Sequence, residues 1–344
     1  MESYKRKLKK LLSPSYFIDR LFIFIMEKKE KEEGYFYTLH KRPKISKDLI
    51  PSCEKYTILE NIAIVIQGPL ALKENFTLET ILLYKKYFPE TTLILSTWAG
   101  EDKPTIEKIK EIGCIVIQNE KPLFNGYWNI NYQITSSKNG IEKAKELGIE
   151  YVLKTRTDQR MYNPNSLQLF LQFNNLYPPN KDSQQKKRLL VPNFGTLKYR
   201  PYGVGDMIMF GHIEDMIIYW NTEHDSRVIK FEEPHSILEL AKIRTTEVYL
   251  ATEYLKKMGH TLKWTLEDTW KIYGKYFCIF DHSLLDMFWY KDFEIHKEFR
   301  FHYYEKINSY ELMNYTEWLT CFNNTLKTDT LPEDIIQKKE GDNL

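Results

Sequence analysis

The sequence contains little cysteine and no cysteine spacing that would build a structure. Four cysteines, at positions 53, 114, 278 and 321, are scattered along 344 residues, and none belongs to a C-x-x-C pair. This distribution excludes a disulfide framework and a zinc ribbon. It is typical of proteins from a reducing compartment, so we expect a cytoplasmic location.

The N-terminal region lacks a hydrophobic run long enough to span a membrane. The apolar stretch Leu21 to Met26 has six residues, whereas a spanning helix needs roughly 20. Glu2, Asp19 and the absence of a small-residue cleavage site argue against a secretory signal. Because residues 1–10 carry five positive charges and one negative charge, residues 1–26 favour a helix lying peripherally on the anionic inner face of the cytoplasmic membrane. A solvated helix packed on the domain is the alternative.

Strong charge of one sign is also missing, since 49 Lys/Arg and 47 Asp/Glu leave a net charge of +2. Residues 1–50 hold 13 Lys/Arg and 7 Asp/Glu, so the remainder holds 36 and 40. That balance disfavours a basic face across the body, and we expect no nucleic-acid partner. Aromatic residues are plentiful at 15%, and such rings build cores and line sites that stack bases or sugars.

Strand and helix patterns alternate from residue 60 onward. Strands are predicted at 62–66, 92–97, 114–117 and 151–154, and helices at 77–88, 105–112 and 136–147. This alternation predicts an α/β fold, with a Rossmann-type, mainly parallel sheet flanked by helices and preceded by an N-terminal helical extension. The second half is less regular, with strands at 204–210 and 276–280, a helix at 245–258 and an exposed loop at 176–188.

Ligands of open α/β sheets bind beyond the carboxyl ends of the strands. That rule selects Gln67-Gly68-Pro69, residues 96–102 and Arg156-Thr157-Asp158, which we expect along one edge. Asp158 ends a buried strand, where a carboxylate needs a counter-charge or a metal. Arg156 and Lys154 precede it at spacings that share one face. The group is either a structural Arg–Asp pair or a carboxylate that holds a divalent cation against a diphosphate.

Four segments occur in a fixed order: VIQGP at 65–69, STW at 96–98, NINYQITSSKNGI at 129–141 and LKTRTDQR at 153–160. Together they resemble the WavE-like family of bacterial lipopolysaccharide and capsule synthesis, and more broadly the GT-A-type glycosyltransferases. The resemblance covers roughly residues 60–290 and implies a GT-A-like domain at 56–327. Residues 56–160 would be its nucleotide-sugar-binding half and 161–327 its acceptor half, between an extension at 1–55 and a polar tail at 328–344.

The resemblance also implies a set of ligands. These are a nucleotide-sugar donor, a lipid-linked or oligosaccharide acceptor, and Mn²⁺ or Mg²⁺ on the last carboxylate of an Asp-x-Asp motif. Here the motif is Arg156-Thr157-Asp158, so Asp158 keeps the metal-facing position, with His282 as the candidate late histidine. Arg156 replaces the first carboxylate and is itself able to neutralise phosphate charge.

Candidate donor contacts follow from the same segments. Gly68 lets the backbone approach a ligand closely, and Gln67 can pair with a base edge or a ribose hydroxyl, although a plain tight turn is the alternative. The polar residues of 129–137 are either diphosphate contacts or helix caps. The full set of candidate donor contacts is Gln67, Gly68, Pro69, Trp98, Asn131, Gln133, Ser137, Lys154, Arg156 and Asp158.

Two carboxylates are candidates for catalysis. Glu247 lies near the start of a predicted helix, where inverting GT-A enzymes often place the base that takes the acceptor's proton. The alternative for Glu247 is a first-turn acid favoured by the helix dipole. Asp206 follows Gly203-Val204-Gly205 and is the rival, since it could also hold sugar hydroxyls.

The predicted function is glycosyl transfer from a nucleotide-sugar onto a growing lipopolysaccharide or capsule. A nucleotidyltransferase of sugar phosphates is an alternative, but the Gly-rich, Arg-containing loop of such enzymes is not matched by Gln67-Gly68-Pro69-Leu70. A sugar-phosphate transferase is a second alternative. A non-catalytic nucleotide-binding or scaffold protein would not need charges clustered at strand ends.

Overall fold

The computed structural model of the chain describes residues 14–33, 42–48, 61–181, 183–229, 236–290 and 311–324. The chain divides into two compact units, 1–43 and 44–344. The basic decapeptide at 1–10 and the polar tail at 328–344 lie outside the described residues.

The described part of the first unit is a helix, α1 (Pro14–Glu33). Large apolar side chains along its first half are exposed, from Phe17 to Ile25. No helix among the described residues is both long and apolar enough to cross a membrane.

The second unit is built on a seven-stranded sheet. Its strands are β1 (Ile62–Gln67), β2 (Thr92–Trp98), β3 (Ile115–Asn119), β4 (Tyr151–Arg156), β6 (Leu189–Pro192), β7 (Met209–His212) and β8 (Phe277–Phe280). A second sheet pairs β5 (Gln159–Met161) with β9 (Met287–Trp289). The order of the large sheet is β3-β2-β1-β4-β7-β6-β8, and the first four strands are parallel. The predicted α/β fold with a mainly parallel sheet is therefore confirmed.

Helices connect the strands and cover the sheet. They are α2 (Phe76–Tyr87), α3 (Lys103–Glu111), α4 (Ile130–Glu146), α5 (Ser166–Leu176), α6 (Ile213–Trp220), α7 (Ile237–Ile243), α8 (Thr246–Lys257), α9 (Leu266–Tyr276) and α10 (Tyr315–Phe322). The strands between them read as continuous apolar runs because both faces are covered, and all six side chains of β1 are buried.

Local sequence signals set several helix boundaries. The Asp102 carboxylate accepts a hydrogen bond from the Thr105 amide at 3.0 Å and caps the start of α3, which has a proline in its first turn. Gly113 follows the same helix with a φ of +85°, a conformation that favours glycine and ends the helix as predicted.

Three sequence predictions were wrong in detail: the start of one helix, the extent of one strand and the exposure of one loop. The helix expected at 136–147 begins at Ile130, because Ile130, Ile134 and Ile141 share one buried face. The strand expected at 204–210 is limited to Met209–His212. Upstream of it Gly205 lies too close to a neighbouring segment for any side chain, since a Cβ there would stand 2.6 Å from the Phe194 carbonyl oxygen.

The loop expected to be exposed at 176–188 is in part buried. Its Gln185 side chain donates to the Tyr276 carbonyl oxygen at 3.0 Å, and the Arg188 side chain is also buried. Polar composition suggested exposure, but Gln185 reaches a backbone carbonyl of the core, and Arg188 Nη2 donates to Asn180 Oδ1 at 3.3 Å.

Candidate active site

The predicted segments meet at one edge of the sheet. Gln67, the last residue of β1, pairs in register with Ser96 of β2 on one side and Arg156 of β4 on the other. Beyond the strands, the Gly68 amide donates to the Ser96 carbonyl at 3.1 Å and the Thr157 amide donates to the Gln67 carbonyl at 3.0 Å. The expectation that the three strand ends share an edge is confirmed.

The turn after β1 is tied to the turn after β4. The Thr157 hydroxyl donates to the Pro69 carbonyl at 2.5 Å. Gly68 has a φ of +118°, and a Cβ there would stand 3.0 Å from the Thr157 hydroxyl oxygen. Glycine is required here because the two turns approach so closely. The Gln67 carboxamide oxygen lies behind this turn and accepts a hydrogen bond from Ser136 of α4 at 2.7 Å.

Arg156 and Asp158 form a fork of two parallel hydrogen bonds. Arg156 Nε donates to Asp158 Oδ1 at 2.8 Å, and Arg156 Nη2 donates to Oδ2 at 2.9 Å. Burial opposes the guanidinium charge, but the bonded carboxylate outweighs it and raises the pKa of Arg156. We call this pair the site fork.

Trp289 contacts both residues of the site fork. Its indole Nε1 donates to Asp158 Oδ2 at 3.0 Å, and Arg156 lies 5.8 Å from the centre of the same ring. The pairing of β5 with β9 and a bond from the Tyr290 amide to the Asp158 carbonyl at 2.8 Å fix this geometry. The sequence analysis missed Trp289, because a contact spanning 131 positions leaves no mark on local patterns.

Lys154 is buried on the same strand. Its Nζ donates to the Asp206 carbonyl at 2.6 Å and lies 4.5 Å from the centre of the Trp220 ring. Burial lowers the pKa of Lys154 well below its usual value, against the opposing charge of the Asp206 carboxylate. This hydrogen bond therefore connects the Asp206 backbone directly to β4, the strand that carries Arg156.

The charge of Glu247 acts on the other candidate catalytic carboxylate, Asp206. Asp206 is 4% exposed, and its Oδ2 accepts a hydrogen bond from Gln133 at 2.7 Å. Burial is the main cause that raises the pKa of Asp206 to about 6, and the charge of Glu247 adds to the rise. The positive charges of Lys154 and Arg156 oppose it. A carboxyl group with such a pKa is suited to exchange a proton near neutral pH.

Glu247 lies in the first turn of α8, as predicted. Its Oε2 stands 3.8 Å from Arg200 Nη2. Within the described ranges, Glu247 Oε2, Arg200 Nε and the Tyr219 hydroxyl are buried atoms without a hydrogen-bond partner. Burial and the charges of Asp206 and Glu247 raise the pKa of Tyr219. No motif or spacing in the sequence pointed to Arg200 or Tyr219.

Other candidate residues lie deeper in the fold. Trp98 is buried against Tyr132, with ring centres 5.4 Å apart. Asn131 is buried, donates to the Phe124 and Asp225 carbonyls at 3.1 and 3.0 Å, and accepts from the Asp225 amide at 2.6 Å. Ser137 is also buried. Their roles as donor contacts stay predictions.

The described side chains do not form a metal-ligand set. No group of three or more His, Cys, Asp or Glu residues that could hold a metal ion occurs in the described part of the chain. Both Asp158 oxygens accept hydrogen bonds in the site fork. His282 follows β8, and its Nδ1 is 2.7 Å from the Asn193 carboxamide oxygen. The ligand pair Asp158 and His282 stays a prediction that these contacts do not favour.

The family model described as WavE lipopolysaccharide synthesis matches residues 62–253. The chain belongs to this WavE family. The resemblance expected from the sequence is thereby confirmed. The matched segment includes both turns, the site fork, Asp206 and Glu247, whereas Trp289 and His282 lie after it.

Solved structures are similar to parts of this WavE chain at low identity. A cytidylyltransferase from Leptospira borgpetersenii is 14% identical over 48% of this chain and 66% of its own, with a TM-score of 0.30. A glycosyltransferase that acts in glycosylation of the PBCV-1 major capsid is 16% identical over 46% and 65%, with a TM-score of 0.27. This chain thus spans just under two thirds of each of these structures.

A third similar structure is a CMP:2-keto-3-deoxy-manno-octonic acid synthetase complexed with CTP. It is 10% identical over 58% of this chain and 85% of its own, with a TM-score of 0.33. No curated protein sequence matches this chain.

Proposed function

We propose that this WavE chain is a GT-A-type glycosyltransferase that moves a sugar from a nucleotide-sugar onto a growing bacterial lipopolysaccharide or capsule. The observation that carries the proposal is the composition of one sheet edge. A cationic strand end, Lys154 and Arg156, lies near the carboxylate of Asp206, whose pKa is in turn raised by the charge of Glu247. Glycosyl transfer needs such a pairing, because a leaving diphosphate gains negative charge while a carboxylate removes a proton from the acceptor.

The donor binds, in this proposal, over the turns after β1 and β4. The Gln67-Gly68-Pro69 turn receives the nucleoside, because it lies at the carboxyl end of β1, where ligands of open α/β sheets bind. The diphosphate lies beside Arg156, whose guanidinium is already oriented by Asp158. Charge-assisted hydrogen bonds from a guanidinium to phosphate oxygens are among the stronger polar contacts in proteins.

The chemical step in the proposal is a direct displacement. An acceptor hydroxyl attacks the anomeric carbon, its proton passes to a carboxylate, and the bond from that carbon to the diphosphate oxygen breaks with its electron pair. Glu247 is our proposed base, because its Oε2 is a buried acceptor without a hydrogen-bond partner among the described residues. Asp206, bonded to Gln133 and attached to the Lys154 strand, then holds the donor sugar.

Membrane attachment is a separate part of the proposal. The exposed apolar side chains of α1 follow the basic decapeptide at 1–10, so an anionic bilayer would match both features. Sedimentation with anionic liposomes at low salt tests this. We expect the full chain to sediment and a chain without residues 1–26 to stay in solution. Full-length protein that ignores the liposomes would contradict it.

A thermal-shift panel tests the donor assignment. The panel holds nucleoside diphosphates, nucleotide-sugars and nucleoside triphosphates, because a ligand that binds the folded state raises the melting temperature by mass action. We expect one base to stabilise the chain as both its diphosphate and its sugar conjugate. Silence from every nucleotide would contradict the proposal and favour a scaffold role, and a response to triphosphates alone would favour nucleotidyl transfer.

A further inference from the structure

We propose that Arg156, oriented by Asp158 and Trp289, takes the place of a divalent cation, so that the chain binds a nucleoside diphosphate without metal. This inference rests on the proposed function, because it concerns the diphosphate of the same donor. It departs from the Mn²⁺ or Mg²⁺ site that the family resemblance implied.

The first argument is that the carboxylate is already occupied. Asp158 accepts two hydrogen bonds from Arg156 and one from Trp289, so each oxygen has at least one strong donor. A cation at Asp158 would have to displace or crowd a guanidinium of the same charge. Only 16% of the Asp158 side chain is exposed, so solvent screens that repulsion weakly.

The second argument is the unused capacity of Arg156. A guanidinium carries five N–H donors, and the site fork uses two of them. Among the described residues its Nη1 has no hydrogen-bond partner, and a quarter of the side chain is exposed at the sheet edge. The remaining donors have the planar geometry that suits phosphate oxygens.

A second fork elsewhere in the chain gives the contrast. Arg227 donates to Asp225 through Nε at 2.7 Å and through Nη2 at 2.8 Å. Its Nη1 and Nη2 also donate to the carbonyls of Ile243 and Arg244, both at 2.9 Å. We call this pair the structural fork. Protein acceptors take four of its five N–H donors, whereas the site fork uses two of the five donors of Arg156.

Isothermal titration calorimetry tests the inference directly. Nucleoside diphosphates of the common bases are titrated into the full chain in EDTA, and again with Mg²⁺ or Mn²⁺. We expect one diphosphate to bind in EDTA, with a Kd that changes less than threefold when metal is added. Binding that appears only with metal, or that tightens tenfold or more, would overturn the inference while leaving the proposed function standing. Absence of binding under every condition would overturn both.

Two matched variants separate ligand binding from folding. Arg156→Gln should weaken diphosphate binding in EDTA by about 10- to 100-fold and leave binding of the parent nucleoside unchanged, because only charge-assisted bonds to phosphate are lost. Arg227→Gln makes the same chemical change in the structural fork and should leave the diphosphate Kd within threefold. Equal Kd values for wild type and Arg156→Gln would also overturn the inference. Circular dichroism confirms that both variants are folded.

Discussion

The site fork and the structural fork are alike in chemistry and differ in what surrounds them. Each is an arginine bonded through Nε and Nη2 to an aspartate two positions away, beside an aromatic ring, which is Trp289 in one and Tyr249 in the other. In the structural fork the Asp225 side chain is 1% exposed, and two of the three remaining arginine donors reach backbone carbonyls. An identical motif therefore serves folding in one place and leaves binding capacity in the other.

The same contrast exists between two glutamates of α8. Glu253 is paired with Arg244 and with Lys256, the latter at 2.8 Å. Among the residues that the structure describes, Glu247 has only the longer approach of Arg200, at 3.8 Å. A carboxylate whose hydrogen bonds are satisfied contributes to stability, whereas one left with an open acceptor is available to a substrate.

The largest expected effect is on kcat, through Glu247. Glu247→Gln should lower kcat by about 10²- to 10⁴-fold at saturating donor, because a general base typically contributes that much. Donor affinity measured by calorimetry should not change, and the product should have the anomeric configuration opposite to that of the donor. Glu253→Gln is the control and should keep kcat. An unaltered kcat in Glu247→Gln, or a retained configuration, would remove Glu247 from this role.

The second effect separates the two forks by activity. Asp158→Asn should lower transfer by about 10²- to 10³-fold, because the guanidinium beside the leaving diphosphate loses its orienting charge. Asp225→Asn should keep the specific activity of its folded fraction but lower the free energy of unfolding by about 2 kcal/mol. Near wild-type turnover in Asp158→Asn would erase the distinction between the forks.

The change of stability with pH should have opposite signs for Asp206 and for the structural fork. The pKa of Asp206 is raised to about 6 from an ordinary value near 4, so the folded state binds more protons than the unfolded state between these pH values, and stability falls as pH rises from about 4 to about 6. Asp206→Asn should therefore be more stable than wild type at pH 8, by roughly 2–3 kcal/mol, and lose that advantage near pH 4.

The structural fork should behave in the reverse way. Burial opposes the Asp225 charge, but the hydrogen bonds from Arg227 outweigh it and lower the pKa of Asp225. Its stabilisation is present at neutral pH and is lost as pH falls through the lowered pKa. Asp225→Asn should thus be less stable than wild type at pH 8 and approach it in acid. Urea unfolding at several pH values measures both variants, and effects of equal sign would contradict the comparison.

Much of this architecture could be predicted from sequence, because local patterns determine it. The β-branched run of β1 and the strand that ends in Arg156-Thr157-Asp158 predict parallel neighbours, and parallel strands bring their carboxyl ends to one edge. The contacts that give the edge its chemistry are non-local. Trp289 reaches Asp158, and Arg200 approaches Glu247, through packing of the second half of the chain, whose elements are short and whose periodicity is weak.

The position of Asp206 shows the same limit. Its sequence neighbours predicted a strand, and the close approach of Gly205 to Phe194 prevents one. The position of Asp206 depends instead on Lys154, whose Nζ donates a hydrogen bond to the Asp206 carbonyl although the two residues are 52 positions apart. Spacing cannot reveal a bond of that kind, so the pair of candidate carboxylates was predicted as two rivals and not as two interacting groups.

The smallest expected effect comes from substituting the aromatic residue beside each fork. Trp289→Phe keeps an aromatic ring near Arg156 and removes the indole donor to Asp158. We expect the donor KM to rise about three- to tenfold with kcat nearly unchanged, since one hydrogen bond that orients the fork is lost. Tyr249→Phe keeps the ring near Arg227 and should leave both constants unchanged. A drop in kcat alone for Trp289→Phe would indicate a different role.

The most direct test of the central claim is to follow the phosphorus products by ³¹P NMR. The full chain is incubated in EDTA with the nucleotide-sugar selected by thermal shift and with a lipopolysaccharide or capsule acceptor, beside Arg156→Gln and Arg227→Gln. The account predicts release of a nucleoside diphosphate that depends on acceptor, persists in EDTA, is lost in Arg156→Gln and is kept in Arg227→Gln. Release of pyrophosphate from a nucleoside triphosphate and sugar phosphate, with no diphosphate from any nucleotide-sugar, would contradict it.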